Sequence, residues 1–319
     1  MSANGTAAAA PPHSLLNSGA APLAGRYQLR ERLGRGSAAE VFRAVDLEGG
    51  PDVAVKIATA GGRKQHQRIR NEAAVLARFS HPSIVSLVDQ GVVAGSGSRA
   101  GRPYLVEELA LGASLAEVIR ADRPGSGDVA LWARGLFGAL AHLHAGGLVH
   151  RDIKPANLML SGLRRSPVRI IDFGIAAATG SAPEPGISSG TVHYMSPEQA
   201  SGGTIAPSWD VYSTGLVLLE LLTGNKAFPG TAIESLVART LRSPDVPEYL
   251  GGWVPLLRSL TAMDPGERPT AADAAVMAAQ LIPGVPSARR GIPALRSRAD
   301  VGPCPAARAL PHRRHRQQA

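Results

Sequence analysis

The segment HRDIKPANLML, residues 150–160, constrains the fold of this chain more than any other stretch of the sequence. It places Asp152, Lys154 and Asn157 directly before the apolar run LML. Polar residues that lead into a short apolar run predict a loop at the start of a buried strand. A carboxylate, an ammonium and an amide would then meet at the edge of a core. A surface loop could hold the same residues by chance, so the interpretation depends on the rest of the chain.

The first ordered part of the sequence has the pattern of a sheet with one helix. Alternating apolar residues and a glycine pair in residues 27–46 predict a hairpin, and residues 52–59 predict a third strand. Residues 83–93 and 103–110 predict two further strands. Residues 64–80 predict an amphipathic helix between these strands. Its apolar residues at helical spacing are Ile69, Ala73, Leu76 and Phe79.

The second part of the sequence has a helical pattern. One apolar stripe and a closing Gly pair predict a helix over residues 128–147, and an almost wholly apolar segment, 209–224, predicts a buried helix. Two short strands, at 157–160 and 168–174, lie between these helices, and two further helices are predicted at 232–241 and 271–282.

Five short motifs occur in one order along the chain: LGRGSAAEV, VAVK, HRDIKPAN, DFG and SPE. In this order they resemble the eukaryotic-like (Hanks-type) bacterial Ser/Thr protein kinases. The resemblance covers residues 26–282 and implies an α+β, bilobal protein kinase-like fold. Its small β-rich N-lobe, with one helix, is expected at 26–109, and its larger, mainly α C-lobe at 110–282. ATP would bind in the cleft between the lobes.

The glycine-rich motif and the lysine motif are the first two candidate elements of the ATP site. Glycines let a backbone approach phosphates closely, and the resemblance assigns Gly34 and Gly36 to this loop. Ala39 stands where the family has a third glycine. Because alanine is small, we expect the loop to close, with weaker affinity for ATP. The resemblance implies that Lys56 holds the α- and β-phosphates and that Glu72 keeps it aimed.

The opening segment supplies the catalytic residues that the resemblance implies. Phosphoryl transfer to a hydroxyl needs a carboxylate that orients the hydroxyl, a cation beside the γ-phosphate and oxygen ligands for a metal ion. Asp152 and Lys154 fill the first two roles, and Asn157 and Asp172 are the metal ligands. Oxygen ligands suit Mg²⁺, with Mn²⁺ as a possible substitute. His150 is expected to pack under the Phe of DFG without a chemical role.

The resemblance also assigns a set of residues to the walls of the ATP pocket. These are Val41, Ala54, Glu108, Ala110 and Met159. Glu107 falls at the back of the pocket, where the family has an apolar side chain. A buried carboxylate is costly unless it is paired. Either Glu107 finds a basic or hydroxyl partner, or the register assigned to this strand is wrong by one residue.

The segment after DFG carries the residues implied for regulation and substrate binding. Lys154 marks Ser/Thr specificity in the family, and Thr191 resembles the threonine that ties this segment to the substrate pocket. Arg151 is expected to pair with a phosphate on the segment. The candidate phosphorylation sites are Ser188 and Ser189, ranked first, then Thr179 and Ser181.

Three structural residues follow from the same resemblance. Glu198 and Arg268 resemble a buried ion pair that anchors this segment to the C-lobe. Asp210 resembles a carboxylate, at the start of a helix, that binds the backbone of the catalytic loop.

Composition adds limits at both ends of the chain. Residues 1–25 are rich in Ala, Pro, Ser and Gly and are predicted to be disordered. Residues 283–319 form a basic Pro/Arg-rich tail, also predicted to be disordered, with eight arginines against one aspartate; it therefore holds most of the formal net charge of +9. This tail either binds an acidic partner, such as nucleic acid or anionic lipid, or is an inert extension.

Cysteine content and hydropathy bear on the compartment. Cys304 is the only cysteine, so no internal disulfide can form. No transmembrane segment is expected, because Glu220 interrupts the most apolar stretch, and no secretory signal is recognisable. We therefore expect a cytoplasmic protein.

Three function classes remain to be compared. The first is an ATP-dependent Ser/Thr protein kinase that phosphorylates its own activation segment. The second is a catalytically weak or dead pseudokinase scaffold, which loss of Lys56, Asp152 or Asp172 would favour; all three residues are present. The third is a small-molecule phosphotransferase of related fold, which would lack the GT…SPE platform for a polypeptide.

Overall fold

The structure is a computed structural model that describes residues 21–36, 38–163, 166–181 and 192–284. The tail beyond residue 284, with Cys304, lies outside the described residues, as do Ser188, Ser189 and Thr191. Within the described part of the chain, no helix is both long and apolar enough to cross a membrane.

The first lobe is an antiparallel sheet of five strands in the order β1-β2-β3-β5-β4. The strands are β1 (Tyr27–Arg35), β2 (Ala39–Asp46), β3 (Val53–Ala58), β4 (Leu87–Val92) and β5 (Pro103–Glu108). Because side chains alternate along a strand, the two faces of the sheet differ. One face buries an apolar cluster that includes Phe42, Val55 and Val106. The opposite face carries Lys56, whose register partner on β5 is Leu105.

Helix α1 (Arg63–Arg78) packs on the face that carries Lys56. It buries Ile69, Glu72, Ala73 and Leu76, the side of the helix that the apolar spacing predicted together with one carboxylate. The N-terminus of the helix is weakly stabilised, because Gly62 provides no side-chain cap and the first turn has no acidic residue.

The second lobe is mainly helical and carries short strand pairs beside the cleft. Its helices are α2 (Leu115–Ala121), α3 (Ser126–Ala145), α4 (Pro197–Ala200), α5 (Ser208–Thr223), α6 (Ala232–Leu241), α7 (Trp253–Leu260) and α8 (Ala271–Ala279). Its strands are β6 (Leu148–Val149), β7 (Leu158–Leu163), β8 (Ser166–Ile170) and β9 (Ala177–Ala178). Strand β7 pairs with β8, and β6 pairs with β9. This architecture is the two-lobed α+β fold that the motifs predicted.

Helix α5 is the centre of the second lobe. Every residue from Trp209 to Thr223 is buried, as expected for a helix that is apolar on nearly all sides. It ends at Gly224, whose left-handed backbone (φ 75°) terminates a helix at little steric cost in glycine. The same apolar core continues past α3 to Leu105 and Leu76 in the first lobe. The two lobes therefore share one core behind the cleft.

Three helices were not predicted: α2, the four-residue helix α4, and α7. Helix α2 begins at Ser114 with a capping box to Glu117, a signal that is readable in the sequence. Helix α7 contains Pro255 in its first turn, where proline is tolerated although it suggests a break. At the start of the described chain, Leu23 is buried and packs with the cluster around Tyr27, although it precedes the predicted boundary at residue 26.

Candidate active site

Lys56 lies at the centre of a partly buried charge cluster in the cleft. Its Nζ donates to Glu72 Oε1 at 2.7 Å and Oε2 at 2.9 Å, and to Asp172 Oδ1 at 2.7 Å. Burial alone would lower the pKa of Lys56, but the adjacent carboxylates of Glu72 and Asp172 outweigh it and raise that pKa. The charge of Lys56 in turn holds the pKa of Asp172 well below its usual range. Lys56 therefore stays cationic, and Asp172 stays anionic.

Asp152, Lys154 and Asn157 come together in the loop before β7. Lys154 Nζ donates to Asp152 Oδ2 at 2.8 Å and to Oδ1 at 3.0 Å. The amide nitrogen of Asn157 donates to Asp152 Oδ2 and to the Asp152 carbonyl, both at 3.0 Å. These contacts fix the carboxylate of Asp152 and orient the Asn157 amide so that its nitrogen faces Asp152.

Asp210 at the start of α5 holds this loop through its backbone. Its Oδ2 accepts the His150 N–H and its Oδ1 accepts the Arg151 N–H, both at 2.8 Å. The ring nitrogen Nε2 of His144 lies 2.9 Å from Oδ2 as well. Arg151 has a left-handed backbone (φ 68°), a conformation that costs a non-glycine residue roughly 1–3 kcal/mol and needs such support. The arrangement implied for Asp210 is therefore present.

The DFG motif follows β8 and turns sharply. Asp172 also has a left-handed backbone (φ 64°). The Phe173 N–H donates to Glu72 Oε1 at 3.1 Å, so Glu72 links α1 both to Lys56 and to this motif. The Phe173 ring meets His150 edge-on, with ring centroids 4.8 Å apart. His150 is buried in the packing position expected for it.

A cavity of about 570 Å³ opens between the lobes and collects most of the predicted site residues. Those that line it are Gly34, Val41, Ala54, Lys56, Glu108, Ala110, Asn157, Met159 and Asp172. Of the residues assigned to ATP binding, Gly36 and Glu72 do not line it: Gly36 closes the loop turn, and Glu72 stands behind Lys56. The apolar wall residues and the polar residues around Lys56 therefore line the same cavity.

The glycine-rich turn leaves room for a ligand. The Gly36 N–H donates to the Ala39 carbonyl at 2.8 Å, which closes the turn despite the alanine at position 39. A Cβ added at Gly34 would meet no atom within 4 Å, so no part of the protein requires glycine there. This open space beside the cavity fits the close approach of phosphates to the backbone.

The donor set at the polar end of the cavity fits a hard cation. Asp172 Oδ2 accepts no hydrogen bond from the described residues, and Asn157 adds an amide oxygen. The described residues contain no cluster of three or more His, Cys, Asp or Glu side chains that could hold a metal ion. Mg²⁺ is commonly bound by one or two side-chain oxygens together with substrate phosphates, and that arrangement needs no such cluster.

Two alternatives were stated for Glu107, a basic or hydroxyl partner or a strand register shifted by one residue, and neither describes the structure. The β3–β5 register pairs it with Ala54, and it lines the cavity as the motif alignment placed it. Its side chain is buried, yet Oε1 has no hydrogen-bond partner among the described residues. Burial, together with the charge of Glu72, raises the pKa of Glu107 to about 8. The expected basic or hydroxyl partner is therefore absent at Oε1 in the described part of the chain, and the ammonium of Lys56 binds other carboxylates.

The segment that leads into α4 is fastened to the second lobe at two points. Arg268, whose side chain is fully buried, donates to Glu198 at 2.6 and 3.0 Å, which is the ion pair that the resemblance implied. Arg239 on α6 donates to the Met195 carbonyl at 2.6 Å and is also fully buried.

Sequence reasoning missed Arg239. A single arginine on an amphipathic helix has the same pattern as a solvent-facing residue, so the sequence carries no signal for its burial.

The fold and the geometry of the site together identify the class of protein. A five-stranded sheet above a helical lobe, with a Lys–Glu–Asp cluster facing an Asp–Lys–Asn loop, is the architecture of a two-lobed phosphotransferase of the protein kinase type. Residues 27–278 match the protein kinase domain family. The chain belongs to the protein kinase family, whose members use ATP and a divalent metal ion.

The similar curated proteins are bacterial kinases. The probable serine/threonine-protein kinase PknB of Bifidobacterium longum is 40% identical over 217 residues, 65% of this chain and 31% of that protein. PknB of Mycobacterium leprae is 36% identical over 244 residues, 74% of this chain and 37% of that protein. PknL of Mycobacterium tuberculosis is 36% identical over 271 residues, 80% of this chain and 65% of that protein. The chain thus spans about a third of the two PknB proteins and about two thirds of PknL.

Proposed function

We propose that this protein is an active Ser/Thr protein kinase that transfers the γ-phosphoryl group of ATP to protein hydroxyls. The observation that carries the proposal is the joint placement of Lys56, Asp172, Asn157 and Asp152 around one cleft, with Lys56 already paired to Glu72. In protein kinases this lysine–glutamate pair and the DFG aspartate must both be in place for catalysis.

Each polar residue of the cleft has a distinct role in this proposal. Asp152 orients the substrate hydroxyl and accepts its proton while the hydroxyl oxygen bonds to the γ-phosphorus. The bond from that phosphorus to the β,γ-bridging oxygen breaks, and ADP leaves with the bonding electrons. Lys154 balances charge at the γ-phosphate, and Lys56 holds the α- and β-phosphates. Asn157 and Asp172 would hold Mg²⁺, or Mn²⁺ as a substitute, and the bound ion would supply positive charge that balances the phosphates.

The pseudokinase scaffold is the alternative function. A pseudokinase would have the same fold as an active kinase but would not transfer phosphate to a substrate. Nothing in the cleft favours it, because each residue whose loss would disable the chemistry is present and contacts the partner that the active form requires. A small-molecule phosphotransferase is disfavoured by the anchored segment before α4, since Glu198 and Arg268 support a platform suited to a polypeptide.

Regulation by autophosphorylation is part of the proposal. Arg151, next to the proposed base, donates to the Ile175 carbonyl at 2.7 Å and so already contacts the segment after DFG. Ser188 and Ser189, beyond the described residues, remain the first-ranked sites, and Thr179 is exposed. A phosphate near Arg151 would add charge-assisted hydrogen bonds that order the segment. Mass spectrometry after ATP treatment, with the Ser188→Ala/Ser189→Ala double mutant as control, tests this. Full activity without any phosphate on the segment would contradict it.

The test of the main function uses full-length protein with labelled ATP, Mg²⁺ and a generic basic protein substrate. Asp152→Asn and Asp172→Asn should each lower turnover at least about 1,000-fold, because each removes a separate part of the chemistry. Asp245→Asn, an exposed change on the loop after α6, is the matched control and should retain wild-type turnover. Nucleotide binding without phosphate transfer by the wild-type protein would support the scaffold instead.

The basic tail keeps its two interpretations. Deletion of residues 283–319 should leave peptide phosphorylation unchanged, and a large loss would show that the tail packs on the catalytic domain. Binding to anionic vesicles or nucleic acid before and after deletion distinguishes an acidic partner from an inert extension.

A further inference from the structure

Glu107 is a buried carboxyl group at the back of the cavity that the proposed chemistry does not use. It is 8% exposed and lines the cavity, and none of the residues that the structure describes gives its Oε1 a hydrogen bond. A buried polar atom without a partner costs roughly 1–3 kcal/mol. Nearly all buried polar atoms in native proteins are paired, so an unpaired one on a residue that lines a ligand cavity indicates a group supplied by the ligand.

The charged neighbours of Glu107 cannot satisfy it. The charged groups that interact with it electrostatically are Lys56 on β3, Glu72 on α1 and Asp172 after β8. A lysine ammonium has three N–H donors. The three hydrogen bonds of Lys56 go to both oxygens of Glu72 and to Asp172 Oδ1. The one cation among these three groups is therefore saturated, and the other two are carboxylates that offer no donor when ionised.

The strand register places Glu107 where a nucleobase would meet it. Ala54 and Glu107 are direct partners across β3 and β5, two residues along each strand from the partners Lys56 and Leu105. Side chains two residues apart share a face, so Glu107 lies between the apolar wall formed by Ala54 and the polar end at Lys56. A purine on that apolar wall, with its phosphates toward Lys56 and Asp172, presents an edge to the wall that contains Glu107.

We propose that Glu107 is a specificity-determining residue, whose carboxyl oxygen accepts a hydrogen bond from the exocyclic amino group at position 6 of adenine. This inference rests on the proposed ATP site and identifies which feature of the base the site reads. A site that pairs a buried polar group with a ligand N–H rejects an analogue that lacks the N–H, because the buried group is then left without a partner. An apolar residue at this position would give no such rejection.

The experiment is a double-mutant cycle on nucleotide binding. Isothermal titration calorimetry with Mg²⁺ measures the affinity of wild-type protein and of Glu107→Met for ATP and for purine riboside 5′-triphosphate, which differs only in lacking the 6-amino group. All other contacts of that amino group contribute equally in both proteins, so they cancel in the cycle. The ratio of the two affinities should be at least about tenfold larger in the wild type than in Glu107→Met, which equals about 1.4 kcal/mol of coupling. Equal ratios would overturn the inference.

Two further measurements keep the test decisive. Glu107→Gln retains an acceptor oxygen of similar size and should keep the wild-type ratio within about threefold. In the wild-type protein, the carboxyl stretching band of Glu107 in infrared difference spectra, assigned by its loss in Glu107→Gln, should shift with ATP and not with the 6-deamino analogue. Identical bands for the two nucleotides would overturn the inference even if the methionine variant failed to fold. Absence of binding by either nucleotide would instead contradict the proposed function.

Discussion

The two walls of the cleft hold their functional residues in different ways. On the wall of the second lobe, Asp152 belongs to a loop whose backbone is bound by Asp210, at the start of the fully buried helix α5. On the wall of the first lobe, Lys56 is oriented by Glu72, on a helix that buries four residues and has no side-chain cap. The second-lobe wall is therefore fixed by the core, whereas the first-lobe wall is fixed mainly by the ion pair between Lys56 and Glu72.

This difference indicates which wall of the cleft a regulatory signal could move. A loop anchored at 2.8 Å by a carboxylate within the core moves only if the core is disturbed. A helix held by an apolar stripe and one charge pair can shift with a much smaller change in free energy. Changes to the residue that supports the second-lobe wall, Asp210, should therefore cost mainly stability, and changes to the residue that supports the first-lobe wall, Glu72, should cost mainly activity.

The largest effect is expected at Asp210. Asp210→Ala removes the acceptor of the His150 and Arg151 N–H groups and leaves both unpaired in a buried loop. The free energy of unfolding should fall by roughly 3–5 kcal/mol, as measured by denaturant titration. Glu248→Ala breaks an exposed ion pair with Arg258 and should cost less than about 1 kcal/mol. A cost for Asp210→Ala as small as that of the control would show that the core does not fix the loop.

Glu72 should show the reverse pattern. Glu72→Gln weakens the hold on Lys56, and kcat/KM should fall about 100-fold, or about 2.7 kcal/mol at the transition state. The free energy of unfolding should change by no more than about 1 kcal/mol, because the change removes one of three carboxyl groups around a single ammonium. Arg70→Gln, exposed on the same helix, is the control with unchanged kcat/KM. If Glu72→Gln lost as much stability as Asp210→Ala, the proposed difference between the two walls of the cleft would be wrong.

The pH dependence of stability tests the charge balance of the first-lobe wall. The pKa of Glu107 in the folded protein, about 8, lies above its ordinary value of 4.5. The folded state therefore keeps a proton that the unfolded state loses, and this contribution to stability is complete below pH 4.5 and is lost as pH rises through 8. Lys56 opposes the shift, while Glu72 and Asp172 increase it.

The comparison variant is Glu107→Gln, which cannot titrate. Relative to it, the wild-type protein should lose roughly 3–5 kcal/mol of unfolding free energy between pH 4.5 and pH 8, followed by chemical denaturation at each pH. A difference between the two proteins that stays constant with pH would show that Glu107 is ionised throughout.

The smallest effect is a stabilisation of α1. Gly62→Asp supplies a capping side chain and a negative charge at a helix N-terminus that has neither. A Cβ there would meet only Gln65 Oε1, at 3.2 Å, the end of a flexible side chain. We expect about 0.5 kcal/mol of added stability and slower hydrogen exchange in α1. Gly62→Ala lacks the acceptor and should give no gain; an equal gain from alanine would exclude capping as the cause.

Much of the fold followed from local patterns in the sequence. Strand alternation in β3, the apolar stripe of α1 and the all-apolar character of α5 each appear within one element. The elements that were missed depended on short signals: α2 on the capping box at Ser114, and α7 on a turn that contains Pro255. Their apolar residues are too few for periodicity to identify them.

By itself, the sequence determined which chemical groups are present and in what order, because motif order and hydrophobic period are local properties of the chain. Only the tertiary structure decided which of these groups meet. Lys56 and Asp172 are 116 residues apart in the sequence, and their atoms are 2.7 Å apart in the fold. The saturation of Lys56 and the unpaired oxygen of Glu107 depend on the number of donors and acceptors that packing brings within hydrogen-bonding distance. Hydrogen bonding and charge interactions depend on spatial distance, and sequence separation does not reveal that distance.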